Sequence, residues 1–162
     1  MKKIKLTKGK YALVDKEDFD QLNKWKWTAA FNGCTKSYYA HRTIVVRPRS
    51  HSLGRANTTI IMSRQIMNYP KNMDVDHINH NTLDNRRTNL RMATRSQNKQ
   101  NERLRKDNRL GIKGVCSRGN KYIAQIQFNK KKIYLGLYEN REQAKKAYRK
   151  ASEYYFGEFS NQ

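Results

Sequence analysis

The stretch "VDHINHNTLDNRRTNLRMATRSQN", Val75–Asn98, is the part of the chain whose reading decides the fold. It holds five asparagines, four arginines and an aspartate-histidine pair, Asp76-His77. Asparagine side chains compete with regular backbone hydrogen bonding and favour turns. Apolar residues still punctuate the run at Val75, Ile78, Leu83, Leu90 and Met92, which points to a folded segment. The pattern predicts a strand ending at Val75-Asp76-His77 and a loop over 78–88 built from side-chain turns. A short returning strand follows at Asn89-Leu90-Arg91-Met92, then a helix that opens at Thr94 or Ser96 and carries Asn98.

Such a hairpin and helix would bring Asp76 and Asn98 together, with His77 beside them. A carboxylate and an amide carbonyl are hard oxygen ligands, suited to a single Mg²⁺ or Mn²⁺ that keeps open positions for water and phosphate oxygens. A neutral imidazole with a pKa of about 6.5 can take a proton from water near neutral pH. Phosphodiester hydrolysis needs this set of groups. His77 is the expected general base, and Asn89 is expected to hold the loop through backbone hydrogen bonds. Arg86, Arg87 and Arg91 are expected to face DNA phosphates. His80 reads as structural or substrate-facing. His41 and His51 have no acidic or amide company nearby.

Composition narrows the partner. The chain has 162 residues and a formal charge of +22, from 35 Lys+Arg against 13 Asp+Glu. Self-repulsion of that size calls for a polyanion, and nucleic acid is the first candidate. The basic residues run along the whole chain among ten tyrosines and two tryptophans, as folded binding surfaces do. No apolar run approaches the roughly 20 residues of a membrane span. The opening Met1-Lys2-Lys3-Ile4-Lys5 lacks an apolar core, so no secretory leader is expected. Cys34 and Cys116 cannot build a disulfide framework or a four-cysteine zinc site, so a reducing compartment is expected.

Upstream, residues 4–14 read as a strand pair with a turn near Lys8-Gly9-Lys10. Asp15 looks like an N-cap, with Phe19 and Leu22 facing inward on a short helix. Lys24-Trp25-Lys26-Trp27 alternates with the period of a strand. A strand over 38–46, a polar loop over 47–57 with Pro48 and Gly54, a strand at 59–62, a helix at 63–67 and a turn at 69–72 complete this half. Downstream, a polar helix is expected from Thr94 to Asp107.

The 75–101 segment resembles the HNH endonucleases of the ββα-metal superfamily, in the subgroup common among phage and intron-borne homing nucleases. The matching residues are Asp76-His77, Asn89 and Asn98, with "LDNRRTNLRMAT" similar to the family's loop and second strand. Many such proteins carry histidine in the third position. Asparagine here makes the site an HNN variant. Ser63-Arg64 departs from the His-Arg expected upstream, and no cysteine pairs flank the motif, so a zinc-stapled version is absent. The resemblance covers residues 4–102. It implies a homing-type DNA endonuclease acting in the cytoplasm of a bacterial or phage-infected cell.

The tail reads as a three-stranded meander and a helix. Gly119-Asn120 and Asn129-Lys130 are turns between strands at 114–118, 122–128 and 132–137. Asn140-Arg141-Glu142-Gln143 resembles a capping box, and Ala144, Ala147, Tyr148, Ala151 and Tyr155 form one helical face. Residues 111–160 resemble the APETALA2/ethylene-response-factor DNA-binding domain, carried by Lys113-Gly114-Val115, Ile123-Ala124-Gln125-Ile126, Leu135-Gly136 and Glu142-Gln143-Ala144. In that family the open sheet face enters the major groove. Here the face would present Gln125, Gln127, Lys132 and Tyr134, flanked by Lys113 and Arg118. Gln suits adenine, and Lys or Arg suits guanine.

The expected fold is therefore α+β: an HNH-type domain over 1–105, then a sheet-and-helix DNA-binding domain over 106–162. The expected partner is double-stranded DNA, bound by a monomer. A non-catalytic DNA-binding regulator with a vestigial nuclease fold is the rival reading.

Overall fold

The computed structural model of the protein describes residues 1–47, 56–102, 104 and 108–160, without the side chains of residues 47 and 56. Of the polar loop expected over 47–57, residues 48–55, with Pro48, His51 and Gly54, lie outside these residues, as does Asp107, while Arg47, Ala56 and Asn57 belong to strands instead. The chain is a mixed α/β structure of small antiparallel sheets and few helices. No helix among the described residues is long and apolar enough to cross a membrane. Two compact units emerge, Met1–Thr94 and Arg95–Gln162. The division falls eleven residues before the boundary expected from the sequence at 105/106.

In the first unit, β1 (Lys2–Lys5) pairs antiparallel with β2 (Tyr11–Val14). The turn between them uses Lys8 and Gly9, both at positive φ. Helix α1 (Lys16–Leu22) follows, with Asp15 in the N-cap position. The Asp15 carboxylate makes no cap hydrogen bond. It accepts instead from the backbone N–H of Arg87 at 2.7 Å. A long-range contact has displaced the local one that the sequence suggested.

Strand β3 (Thr28–Asn32) begins after both tryptophans, not at Trp25 as their alternation suggested. Trp27 is buried, and its indole N–H donates to the Leu22 carbonyl at 2.8 Å, while Trp25 stays half exposed. The Arg42 guanidinium stacks over both rings, 4.3 Å from Trp25 and 5.6 Å from Trp27. Strands β4 (Ser37–Arg47) and β5 (Ala56–Ile61) complete an antiparallel sheet in the order β3-β4-β5. Helix α2 (Met62–Ile66) leads to a turn clamped by Arg64, which donates to the Pro70 and Met73 carbonyls. Ser63, where the family resemblance anticipated histidine, is buried.

Strand β6 (Asp74–His77) and β7 (Leu90–Ala93) then form the antiparallel pair on which the motif sits. Ile4, Val14, Leu22, Met62, Ile66 and Leu90 belong to one continuous core. Burying each such side chain contributes about 1.5–3 kcal/mol. Because Leu90 belongs to that core, the motif hairpin is anchored to the rest of the unit.

The second unit opens with α3 (Arg95–Gln100), which carries no buried residue. The helix expected over 94–107 is thus limited to six described residues. Strands β8 (Val115–Arg118), β9 (Lys121–Phe128) and β10 (Lys131–Tyr138) form the meander in the order β10-β9-β8. Both turns have the positive-φ geometry that two-residue hairpins require: Gly119 in the first, Asn129 and Lys130 in the second. Helix α4 (Arg141–Phe156) starts at Asn140, whose Oδ1 accepts from the Gln143 N–H at 2.9 Å. Ala144, Ala147 and Tyr148 pack on Val115, Ala124 and Leu135. Gly114 lies at φ +65° directly under Tyr148. A Cβ there would meet the ring at 2.1 Å and the Gln125 carbonyl at 2.4 Å, so only glycine fits.

Candidate active site

Several polar groups of the loop between β6 and β7 bond to one another. Asn89 sits at the end of a 3₁₀ turn over Arg87–Asn89 and is buried. Its Oδ1 accepts from the Asn79 N–H at 3.0 Å and its Nδ2 donates to the Asp84 carbonyl at 2.7 Å. Its own carbonyl accepts from the Ile78 N–H at 2.9 Å. One side chain thus staples both ends of the loop. The loop is also strapped to β2: the Leu13 N–H donates to the Leu83 carbonyl, and the Asn85 N–H to the Leu13 carbonyl, each at 2.8 Å.

Asp76 and His77 end β6. Their cross-strand partners are Arg91 and Leu90. Both are buried, at 7% and 6% exposure. The Asp76 Oδ2 accepts from Arg91 at 2.9 Å, with both side chains enclosed. Removing one member of such a buried pair costs about 3–5 kcal/mol. The His77 Nε2 lies 3.2 Å from the Asn85 Oδ1. Burial pushes the His77 pKa below its ordinary value, while the Asn85 hydrogen bond and the carboxylates of Asp76 and Asp84 push back. The imidazole is therefore neutral near pH 7, the form in which it can accept a proton.

Asp84 is held by Arg86, which donates from Nε at 2.7 Å and from Nη2 at 2.6 Å. This bidentate bond holds the Asp84 carboxyl below the usual range, against its burial. Arg87 makes the same fork onto Asp18 of α1, at 2.9 and 2.7 Å. The three arginines expected at phosphates therefore all carry intramolecular carboxylate partners. Arg91 is enclosed, whereas about half of the Arg87 side chain and a third of that of Arg86 remain open to solvent. His80 is half-buried at φ +60°, with its N–H donating to the His77 carbonyl. Asn98 lies on α3, in the second unit.

Sequence reasoning missed Asn85, which is 1% exposed. Leu83-Asp84-Asn85 reads as a turn, and only the strap to β2 turns it inward. Among the described residues there is no group of three or more His, Cys, Asp or Glu side chains poised for a metal. A carboxylate with amide and water oxygens is the donor chemistry left, and it fits a hard, well-hydrated dication better than a soft one.

In the second unit, register sets which side chains share a face. Gln125 lies opposite Tyr134, and Gln127 opposite Lys132. Ala124 and Ile126 point the other way, into the buried side. Arg118 is exposed opposite Lys121. A bulge between Tyr134 and Gly136 turns Leu137 out opposite Ile123, adding an exposed apolar side chain that alternation alone did not place there. Lys113, expected to flank this face, is engaged with backbone. It precedes β8, and its Nζ donates to the carbonyls of Gln100 and Glu102. Its pKa is lowered by that burial.

Residues 68–100 match the HNH endonuclease family. The chain is also 31% identical over 153 residues to an uncharacterized HNH endonuclease of Acanthamoeba polyphaga mimivirus, covering 94% of this chain and 74% of that one. The fold and the buried Asp-His pair thus sit within a nuclease framework, and this chain belongs to the HNH endonuclease family. HNH nucleases use a divalent metal ion.

Proposed function

We propose that the protein is a site-specific, divalent-metal-dependent DNA endonuclease of the homing type. The observation that carries this reading is a buried Asp76-His77 pair at a strand end, beside a loop stapled by Asn89. His77 takes a proton from a water molecule. The water oxygen forms a bond to phosphorus as the bond from phosphorus to the 3′ oxygen breaks. The 3′ oxygen leaves and is protonated from solvent, giving 5′-phosphate and 3′-hydroxyl ends. Asp76 is the protein ligand assigned to Mg²⁺ or Mn²⁺, and Asn98 enters as a ligand from the family resemblance alone. The cation, when bound, supplies Lewis-acid charge at the scissile phosphate. Asn89 keeps the loop, and so the imidazole, in place.

The sheet face of the second unit is the proposed DNA reader, similar in pattern to APETALA2-type domains. Gln125, Gln127, Lys132, Tyr134 and Arg118 are its proposed contacts, with Leu137 added. Lys113 is left out because its ammonium is engaged with backbone. The open parts of Arg86 and Arg87 remain proposed phosphate contacts.

The second reading, a DNA-binding regulator without catalysis, is favoured by two observations: Arg91 holds Asp76, and His77 is buried. Incubating the full chain with supercoiled plasmid and Mg²⁺, with EDTA as control, separates the two. The nuclease reading expects nicks that DNA ligase reseals. Binding with no cleavage in Mg²⁺ or Mn²⁺ would leave only the regulator.

A further inference from the structure

Asn85 is buried more completely than Asp76, His77 or Asn89. Its backbone is fixed by the strap to Leu13, so the side chain has one direction to point. The Oδ1 faces the His77 Nε2 at 3.2 Å. The Nδ2 is enclosed with no hydrogen-bond partner among the described residues. A half-satisfied buried amide is a poor structural element, because a leucine of similar size would fill the space without an orphaned donor. The fold therefore keeps an amide here for what its oxygen does.

An amide oxygen only accepts hydrogen bonds. A neutral imidazole carries one N–H, on either nitrogen. Facing an acceptor at Nε2, the ring must put its proton there, and the lone pair then resides on Nδ1. We infer that Asn85 is the positioning residue for His77: it selects the tautomer with the proton on Nε2 and Nδ1 basic, and it holds the ring in one orientation. The two carboxylates nearest Asn85 in sequence are engaged by arginines, Asp84 by the fork of Arg86 and Asp76 by Arg91. The tautomer is inferred from the 3.2 Å contact to the Asn85 Oδ1, whereas its catalytic consequence rests on the nuclease reading above.

The test is long-range proton–nitrogen NMR correlation on the full chain with ¹⁵N-labelled histidine at pH 8, where the ring is neutral, with His77 assigned by comparison with His77→Ala. The wild-type ring is expected as a single tautomer protonated at Nε2. Asn85→Asp keeps the acceptor and the tautomer. Asn85→Leu removes the acceptor and gives a mixture of tautomers. Its cleavage rate is expected to fall roughly 10–100-fold, the range for losing an orienting partner, with the Kd for DNA unchanged. An Nδ1-protonated wild-type ring would overturn the inference, and that result needs no variant to fold. So would Asn85→Leu with an unmixed Nε2 tautomer and full rate. The predicted tautomers without any cleavage by the wild type would uphold the role of Asn85 and sink the nuclease reading instead.

Discussion

Asn89→Ala isolates the claim that one buried amide organises the loop carrying His77. The substitution leaves the Asn79 N–H and the Asp84 carbonyl without the partners they now have at 3.0 and 2.7 Å. Each buried group so orphaned costs about 1–3 kcal/mol. The pair then predicts a loss of roughly 2–6 kcal/mol, less what water recovers at the exposed Asn79 end. Both tryptophans of the chain, Trp25 and Trp27, lie in the first unit, so fluorescence excited at their red edge reports that unit alone during urea unfolding. With a slope of about 1–3 kcal/mol/M, the midpoint should fall by about 1–3 M urea. Asn89→Asp should lose nearly as much, since it keeps the acceptor but sets a carboxylate against the Asp84 carbonyl. A midpoint within about 0.3 M of wild type for the alanine variant would show that the two bonds are not what holds the loop.

Other consequences follow from the same contacts. The Asp84 carboxyl is held low chiefly by Arg86, so its stabilisation is fully present above pH of about 4 and is lost as pH falls through the lower folded value. Arg86→Met should therefore move acid unfolding of the first unit to higher pH, and an unchanged acid midpoint would contradict that assignment. Gly114→Ala must place a side chain at φ +65° against Tyr148 and the Gln125 carbonyl. The backbone alone costs about 1–2 kcal/mol, so the Tm of the second unit should drop measurably in circular dichroism. On the sheet face, Lys132→Ala should lower the slope of log K against log salt by about 0.9 if it meets a phosphate. Tyr134→Ala and Gln125→Ala should weaken the preferred sequence more than random duplex, and equal weakening of both would show that these side chains do not read bases.

The second unit was the more legible half because its signals are local. Gly119-Asn120 and Asn129-Lys130 mark turns through backbone geometry that few other residues adopt, and the Ala144-to-Tyr155 spacing fixes a helical face. The motif strands were also readable, since Val75 and Leu90 punctuate a run otherwise made for turns. What stayed hidden depends on distant contacts. The alternation at Trp25 and Trp27 imitates a strand, but Arg42 comes across to stack on both rings. Asp15 occupies an N-cap position, yet Arg87 takes its carboxylate. Arg86, Arg87 and Arg91 look like phosphate ligands until Asp84, Asp18 and Asp76 are seen beside them. Asn85 is one more turn former in sequence, and only its strap to β2 turns it toward His77.

The account rests on His77 as the group that activates water. The direct measurement is single-turnover cleavage and equilibrium binding of one mapped duplex, in Mg²⁺, by wild type and His77→Ala side by side. The variant should bind with an unchanged Kd and cut about 10²–10⁴-fold more slowly, the contribution of a general base. Equal cleavage rates from the two proteins would show that the imidazole at position 77 is not the base.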